Sequence, residues 1–143
     1  MSTPSYRKRV KHFNESGHAH FLTFSCYQRR PLLTNQHWNR LFARAVDAAL
    51  IRHAFQLWGF VFMPEHVHLL VYPTECLYQM KRLLFALKRP YSFRVKQDLL
   101  VTNPVLIQEL TVLERPGKKT FRFWQEGPGY DRNVNSPEVA THY

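Results

Sequence analysis

The order of patterns along this sequence predicts an α+β fold in which helices cover one face of an antiparallel sheet. Three observations carry that expectation. Runs of β-forming residues and two helical patterns follow in the order strand, helix, strand, strand, helix, late strand. The second and third strands are separated only by a short turn around Pro64, so they pair antiparallel as a hairpin. Each helical stretch gathers its apolar residues on one arc, so each needs a sheet to cover. A βαββαβ order of this kind is the ferredoxin-like sandwich, whose second sheet face is left open for a ligand.

Residues 18–27 read as the first strand, with Phe21, Thr23 and Ser25 facing one way and Leu22, Phe24 and Cys26 the other. Pro31 ends that segment. Thr34 or Asn35 caps a helix through Trp38, Leu41, Phe42, Ala45, Val46 and Ala49, to about His53. Residues 55–62 form the second strand, with Trp58 and Phe60 expected in the core, and residues 66–72 form the third. In the next helix Met80, Leu83, Leu84, Leu87, Tyr91 and Val95 share one arc, and Lys81, Arg82, Lys88, Arg89 and Lys96 share the adjoining one. Pro90 is expected to kink or split that helix near Leu87. Residues 104–113 suit a short helix, 116–119 a turn, 120–124 an extended segment and 130–134 a last strand. Ser136 and Pro137 then start a helix that reaches the final residue, Tyr143, about two turns later.

Composition narrows the class. The chain has 143 residues, 45% hydrophobic and 15% aromatic, which suits one globular domain with a real core. Residues 1–17 read as a basic, polar leader and residues 18–143 as the domain. No apolar run is long enough to span a bilayer, and the N-terminus lacks a signal-peptide apolar region. Cys26 and Cys76 make neither a zinc spacing nor a disulfide framework, so a reducing, cytoplasmic compartment is expected. The formal charge of +10 favours a polyanionic partner, either nucleic acid or an anionic membrane surface. The second helix concentrates this charge, with no acid between Glu75 and Asp98. A membrane-surface role for that helix would leave the closely spaced His66 and His68 unexplained, which ranks nucleic acid first.

The segment Glu65-His66-Val67-His68-Leu69-Leu70 sets two imidazoles two residues apart at the start of a strand. Residues so spaced share a face, so His66 and His68 stand side by side. Two neutral imidazoles in that relation chelate a divalent metal. Glu65, offset by one, suits either a supporting carboxylate or a turn residue pointing away. His18 and His20 repeat the spacing but are expected to face solvent at the strand entrance.

Three blocks carry a family resemblance: His20-Phe21-Leu22-Thr23-Phe24, then Phe60-Val61-Phe62-Met63-Pro64-Glu65-His66-Val67-His68-Leu69-Leu70, then Phe123-Trp124-Gln125-Glu126 running on to Tyr130-Asp131-Arg132-Asn133. Together they resemble the IS200-like transposases, and within them the REP-associated tyrosine transposase branch. The resemblance implies a single-strand DNA nuclease and strand transferase of the His-hydrophobic-His type. His66 and His68 would hold Mg²⁺ or Mn²⁺, and a tyrosine on a late helix would attack the phosphate to leave a 5′-phosphotyrosyl link. It also implies hairpin DNA as partner, a homodimer, and a bacterial, nucleoid-associated location. Lys81, Arg82, Lys88, Arg89, Lys96 and Arg132 would contact DNA, with Tyr27, Phe123, Trp124 or Tyr130 as stacking surfaces. The departure lies at the end. Tyr143 falls about one turn before the family's catalytic position and nothing follows it, so the resemblance implies a copy truncated at its C-terminus. Tyr130 is the second candidate nucleophile, and a DNA-binding remnant without cleavage is the alternative activity.

Overall fold

The computed structural model describes residues 17–127 and 129–134. The sheet is built from β1 (Ala19–Ser25), β2 (Phe55–Phe62), β3 (His66–Pro73) and β6 (Tyr130–Val134), in the spatial order β2-β3-β1-β6 with every pair antiparallel. Helix α1 (Gln36–Arg52) connects β1 to β2, and α2 (Met80–Thr102) follows β3. This is the expected ferredoxin-like sandwich. Between α2 and β6 it carries an insertion: α3 (Pro104–Glu109) and a hairpin of β4 (Thr111–Arg115) and β5 (Lys118–Phe121).

Alternation along the strands decides which face is which. Val67, Leu69 and Val71 of β3 are fully buried, as is Leu22 of β1, and Phe24 nearly so. Against them lie Phe42 and Val46 of α1 and Leu83, Leu87, Tyr91 and Val95 of α2, all at most 2% exposed. The apolar arc read for the second helix is therefore the arc that packs on the sheet. Asn35 starts α1 by accepting the Trp38 amide at 3.1 Å. Side chains two along from each other on the other face (Phe21 and Thr23, His66 and His68) are covered by neither helix and are only half-buried.

Five expectations change. First, α2 is not split: it runs unbroken through Pro90. The ring forfeits one backbone hydrogen bond, but buried side chains on both sides, Leu83 to Leu99, hold the helix to the sheet. Second, residues 104–113 divide into α3 and the start of the hairpin, turned at Pro116-Gly117, where Gly117 has φ 79°. Third, Phe123 and Trp124 are not stacking surfaces. They are 0% and 6% exposed and close an aromatic cluster with Phe42 and Tyr91.

Fourth, Trp58 and Phe60 are not core; they are 53% and 58% exposed. Fifth, His20 does not face solvent. It is fully buried, with Nδ1 2.9 Å from Asp131 Oδ1 and Nε2 2.8 Å from the Tyr78 hydroxyl. Both ring nitrogens are partnered, which is what makes its burial tolerable, and the chain of contacts ties β6 and the loop before α2 to β1. Residues 1–16, and the expected helix from Ser136 to Tyr143, lie outside the described residues.

Candidate metal and nucleic-acid site

The strand period does bring His66 and His68 together on the open face. Their Nε2 atoms are 3.0 Å apart, with ring planes at 87°. Each imidazole is set by a neighbour. Thr23, opposite His68 in the β1–β3 register, places its hydroxyl 2.8 Å from His68 Nδ1, and Phe21 stacks on the same ring at 5.3 Å. Glu65 Oε2 lies 3.8 Å from His66 Nδ1 and 3.3 Å from Arg29. It is too far from His66 for a hydrogen bond, yet it does not turn away.

Proton placement shows why two such rings suit a cation. With no metal, one of the facing Nε2 atoms carries a hydrogen and donates it to the other. Whichever does so, His66 Nδ1 is left buried with no hydrogen-bond partner. A cation on both Nε2 lone pairs lets each ring keep its hydrogen on Nδ1, directed at Thr23 for His68 and toward the Glu65 carboxylate for His66. Metal-bound histidines are commonly held as His68 is, by an acceptor on the second ring nitrogen, whereas Glu65 at 3.8 Å acts on His66 through its charge alone. The 3.0 Å separation also matches adjacent donors of an octahedral ion, about 3.0 Å apart for metal–ligand bonds near 2.1 Å. Burial, together with the charge of His66, pushes the His68 pKa below its ordinary 6.5, which keeps the ring neutral and able to ligate. The pair accounts for two ligands. Among the described residues no group of three or more His, Cys, Asp or Glu is placed to hold a metal.

The cations read as DNA contacts lie elsewhere. Helix α2 packs on the far side of the sheet from His66 and His68, and its basic arc divides. Lys81, Lys88 and Arg89 line a groove of about 660 Å³ between α2 and residues 120–127. Arg122, on the opposite wall, is paired with Glu114 and Glu126. Arg82 instead faces α1 beside Arg52 and His53. Lys88 is partly withdrawn: its ammonium donates to the Gly127 carbonyl at 2.9 Å and sits 4.8 Å over the Phe24 ring. Burial lowers its pKa from 10.5 to about 8. Lys96 is half-buried and Arg132 exposed on β6, where Arg132 pairs in register with Phe21. The backbone of Tyr130 pairs with Thr23. Tyr143 lies outside the described residues.

No family model and no curated protein matches the chain. Solved structures do. A REP-associated tyrosine transposase bound to a REP hairpin superposes with a TM-score of 0.68 at 14% identity, over 94% of this chain and 67% of that one. A candidate transposase from Deinococcus radiodurans R1 gives 0.57 at 17% identity, over 98% of this chain and 91% of the other. At such identities the likeness establishes the fold. The chain has the fold found in these two proteins, with a histidine pair on its uncovered face. Among the described residues no helix is long and apolar enough to cross a membrane.

Proposed function

We propose that this chain is a transposase-type enzyme that cuts and rejoins single-stranded or hairpin DNA with the help of Mg²⁺ or Mn²⁺. The observation that carries the reading is the facing Nε2 pair of His66 and His68 on the open sheet face. Its support is the shared fold with a transposase bound to a REP hairpin. The ion, held by His66 and His68, would supply Lewis acidity that draws charge from a phosphate oxygen.

The chain's own groups do the rest. The Thr23 hydroxyl accepts the hydrogen that His68 keeps on Nδ1 when its Nε2 ligates, and the Glu65 carboxylate faces His66 with an opposing charge. Lys81, Arg89 and Arg132 are exposed cations, which suits them to phosphates. In this reading a tyrosine phenol loses its proton to solvent and its oxygen attacks phosphorus, the bond from phosphorus to the 3′ oxygen breaks, the phosphate remains on the tyrosine, and the departing 3′ oxygen takes a proton from solvent to leave as 3′-OH. Tyr143 is the proposed nucleophile and Tyr130 the second candidate, with a homodimer as the working unit. A binding role without cleavage is the second reading, and it fits a histidine pair that no third His, Cys, Asp or Glu joins among the described residues.

The test is incubation with Mn²⁺ and a labelled single-stranded hairpin, followed by a denaturing gel. A covalent adduct that disappears in Tyr143→Phe and in His66→Ala supports the enzyme. Hairpin binding with neither adduct nor cleavage supports the binding role. Cleavage that ignores every tyrosine and histidine change overturns both.

A further inference from the structure

We infer that Trp58 and Tyr72 form a stacking platform for an unpaired base of a single-stranded nucleic acid, on the same face as His66 and His68. The inference rests on the proposed function, in which a DNA strand crosses this face.

The geometry is built rather than incidental. A β-bulge between Leu57 and Gly59 shifts the β2–β3 register, and Trp58 is the residue carried out of the ladder. Bulges re-aim side chains in this way and concentrate beside active sites. The indole lies on the Tyr72 ring with centroids 4.5 Å apart and planes only 8° from parallel. Its N–H donates to Gln56 Oε1 at 3.1 Å, which fixes the ring's rotation. Tyr72 thus covers one side of the indole, yet 53% of Trp58 remains exposed. Next to it Gly59 leaves an open notch, since a Cβ there would meet nothing within 4 Å.

Position points to the occupant. Tyr72 is four residues along β3 from His68 on the same face, about 13 Å at 3.3 Å per residue. Phe21 stacked flat on His68, at 14°, marks the other end of this stretch. A strand anchored by a phosphate at the histidines therefore reaches the platform within a few nucleotides. Every base has a flat face that a parallel aromatic pair accepts, whereas bases inside a duplex are already covered by their neighbours. The +10 charge favours a polyanion over an apolar protein surface.

Tryptophan fluorescence tests this on the full chain. The protein has three tryptophans; Trp38 and Trp124 are each 6% exposed, so the surface signal belongs to Trp58. Titration with a short oligothymidylate, without metal, should quench the emission. Trp58→Ala should weaken binding about 5- to 100-fold, while Trp58→Phe keeps most of it. The dependence of affinity on salt should keep its slope in Trp58→Ala, because the indole neutralises no phosphate. A thermal melt checks that each variant folds. Full affinity in a folded Trp58→Ala overturns the platform, as does binding with unchanged emission. Quenching by protein concentration alone, with dimer loss in Trp58→Ala, also overturns it and assigns the face to a second copy. Failure of the wild-type chain to bind any single strand defeats the DNA reading itself and the platform with it.

Discussion

Thr23→Val is the most searching perturbation of the histidine pair, because it leaves both imidazoles in place. Valine matches threonine in shape and suits a strand equally well, so the register opposite His68 should persist. What disappears is the hydroxyl 2.8 Å from His68 Nδ1. In the metal-free chain that interaction is an ordinary hydrogen bond worth about 1 kcal/mol. With a cation on Nε2 the imidazole becomes a stronger Nδ1–H donor, and losing its acceptor matters more. Removing such a supporting partner typically weakens metal binding about 10- to 100-fold, or roughly 1.4–2.7 kcal/mol. Calorimetric titration with Mn²⁺ should show that loss in Thr23→Val, with the metal-free unfolding free energy changed by about 1 kcal/mol or less, and recovery in Thr23→Ser. Unchanged Mn²⁺ affinity in Thr23→Val, alongside abolition in His68→Ala, would refute the tautomer argument. Unchanged affinity in both His66→Ala and His68→Ala would remove the metal site altogether.

Three further outcomes are expected. Lys88, with its pKa lowered from 10.5 to about 8, disfavours folding while charged. The unfolded chain binds more protons between those values, so stability should rise with pH from about 8 to 10.5, by on the order of 1–2 kcal/mol after allowing for partial exposure. Denaturant melts of Lys88→Met against wild type should show that rise removed. Cys26 is buried with its pKa raised to about 12, whereas Cys76 is exposed. A thiol reagent should therefore label one cysteine per native chain quickly, and Cys76→Ser should abolish the fast phase. Gly129 has φ 76°, and a Cβ there would run into the Thr23 carbonyl and approach Phe24 Cβ to 3.0 Å. Gly129→Ala should cost about 2–5 kcal/mol and free β6 first, read as lower hydrogen-exchange protection in β6 before the rest of the sheet.

The histidine pair is legible in the sequence because a strand's two-residue period is the most local rule a sheet obeys. His66 and His68 need only β3 to form. The same rule misplaces Trp58, since the bulge at Leu57/Gly59 breaks the count and puts Trp58 with Tyr72 on the open face. Phe60 keeps the core-side parity, opposite Leu69, but it sits on the edge strand and stays exposed. His20 reads as solvent-facing because its partners, Asp131 and Tyr78, are 111 and 58 residues away in sequence. Pro90 does not split α2, because seven buried side chains along the helix hold it to the sheet on both sides of the ring. Phe123 and Trp124 are buried against Phe24, Trp38, Phe42 and Tyr91, partners from β1, α1 and α2 that lie far away in sequence. Their pattern alone does not distinguish a stacking surface from a core.

The sheet itself constrains how the two halves of the candidate site work together. The histidines occupy one face, whereas Lys81, Lys88 and Arg89 line a groove on the helix side. A short strand lying flat on the open face cannot touch both sets, because the buried layer of Leu22, Val67 and Leu69 stands between them. Cations of α2 can therefore serve a strand at the histidines only if the nucleic acid wraps an edge of the sheet or a second protomer is present. Neutralising Lys81 and Arg89 together distinguishes these cases from a single flat footprint. On a long hairpin the double variant should lower the salt slope by about two, one for each phosphate that no longer meets a cation. On a single strand of a few nucleotides it should change nothing. Equal losses on both substrates would place the helix groove and the histidines under one short footprint, which this fold does not permit.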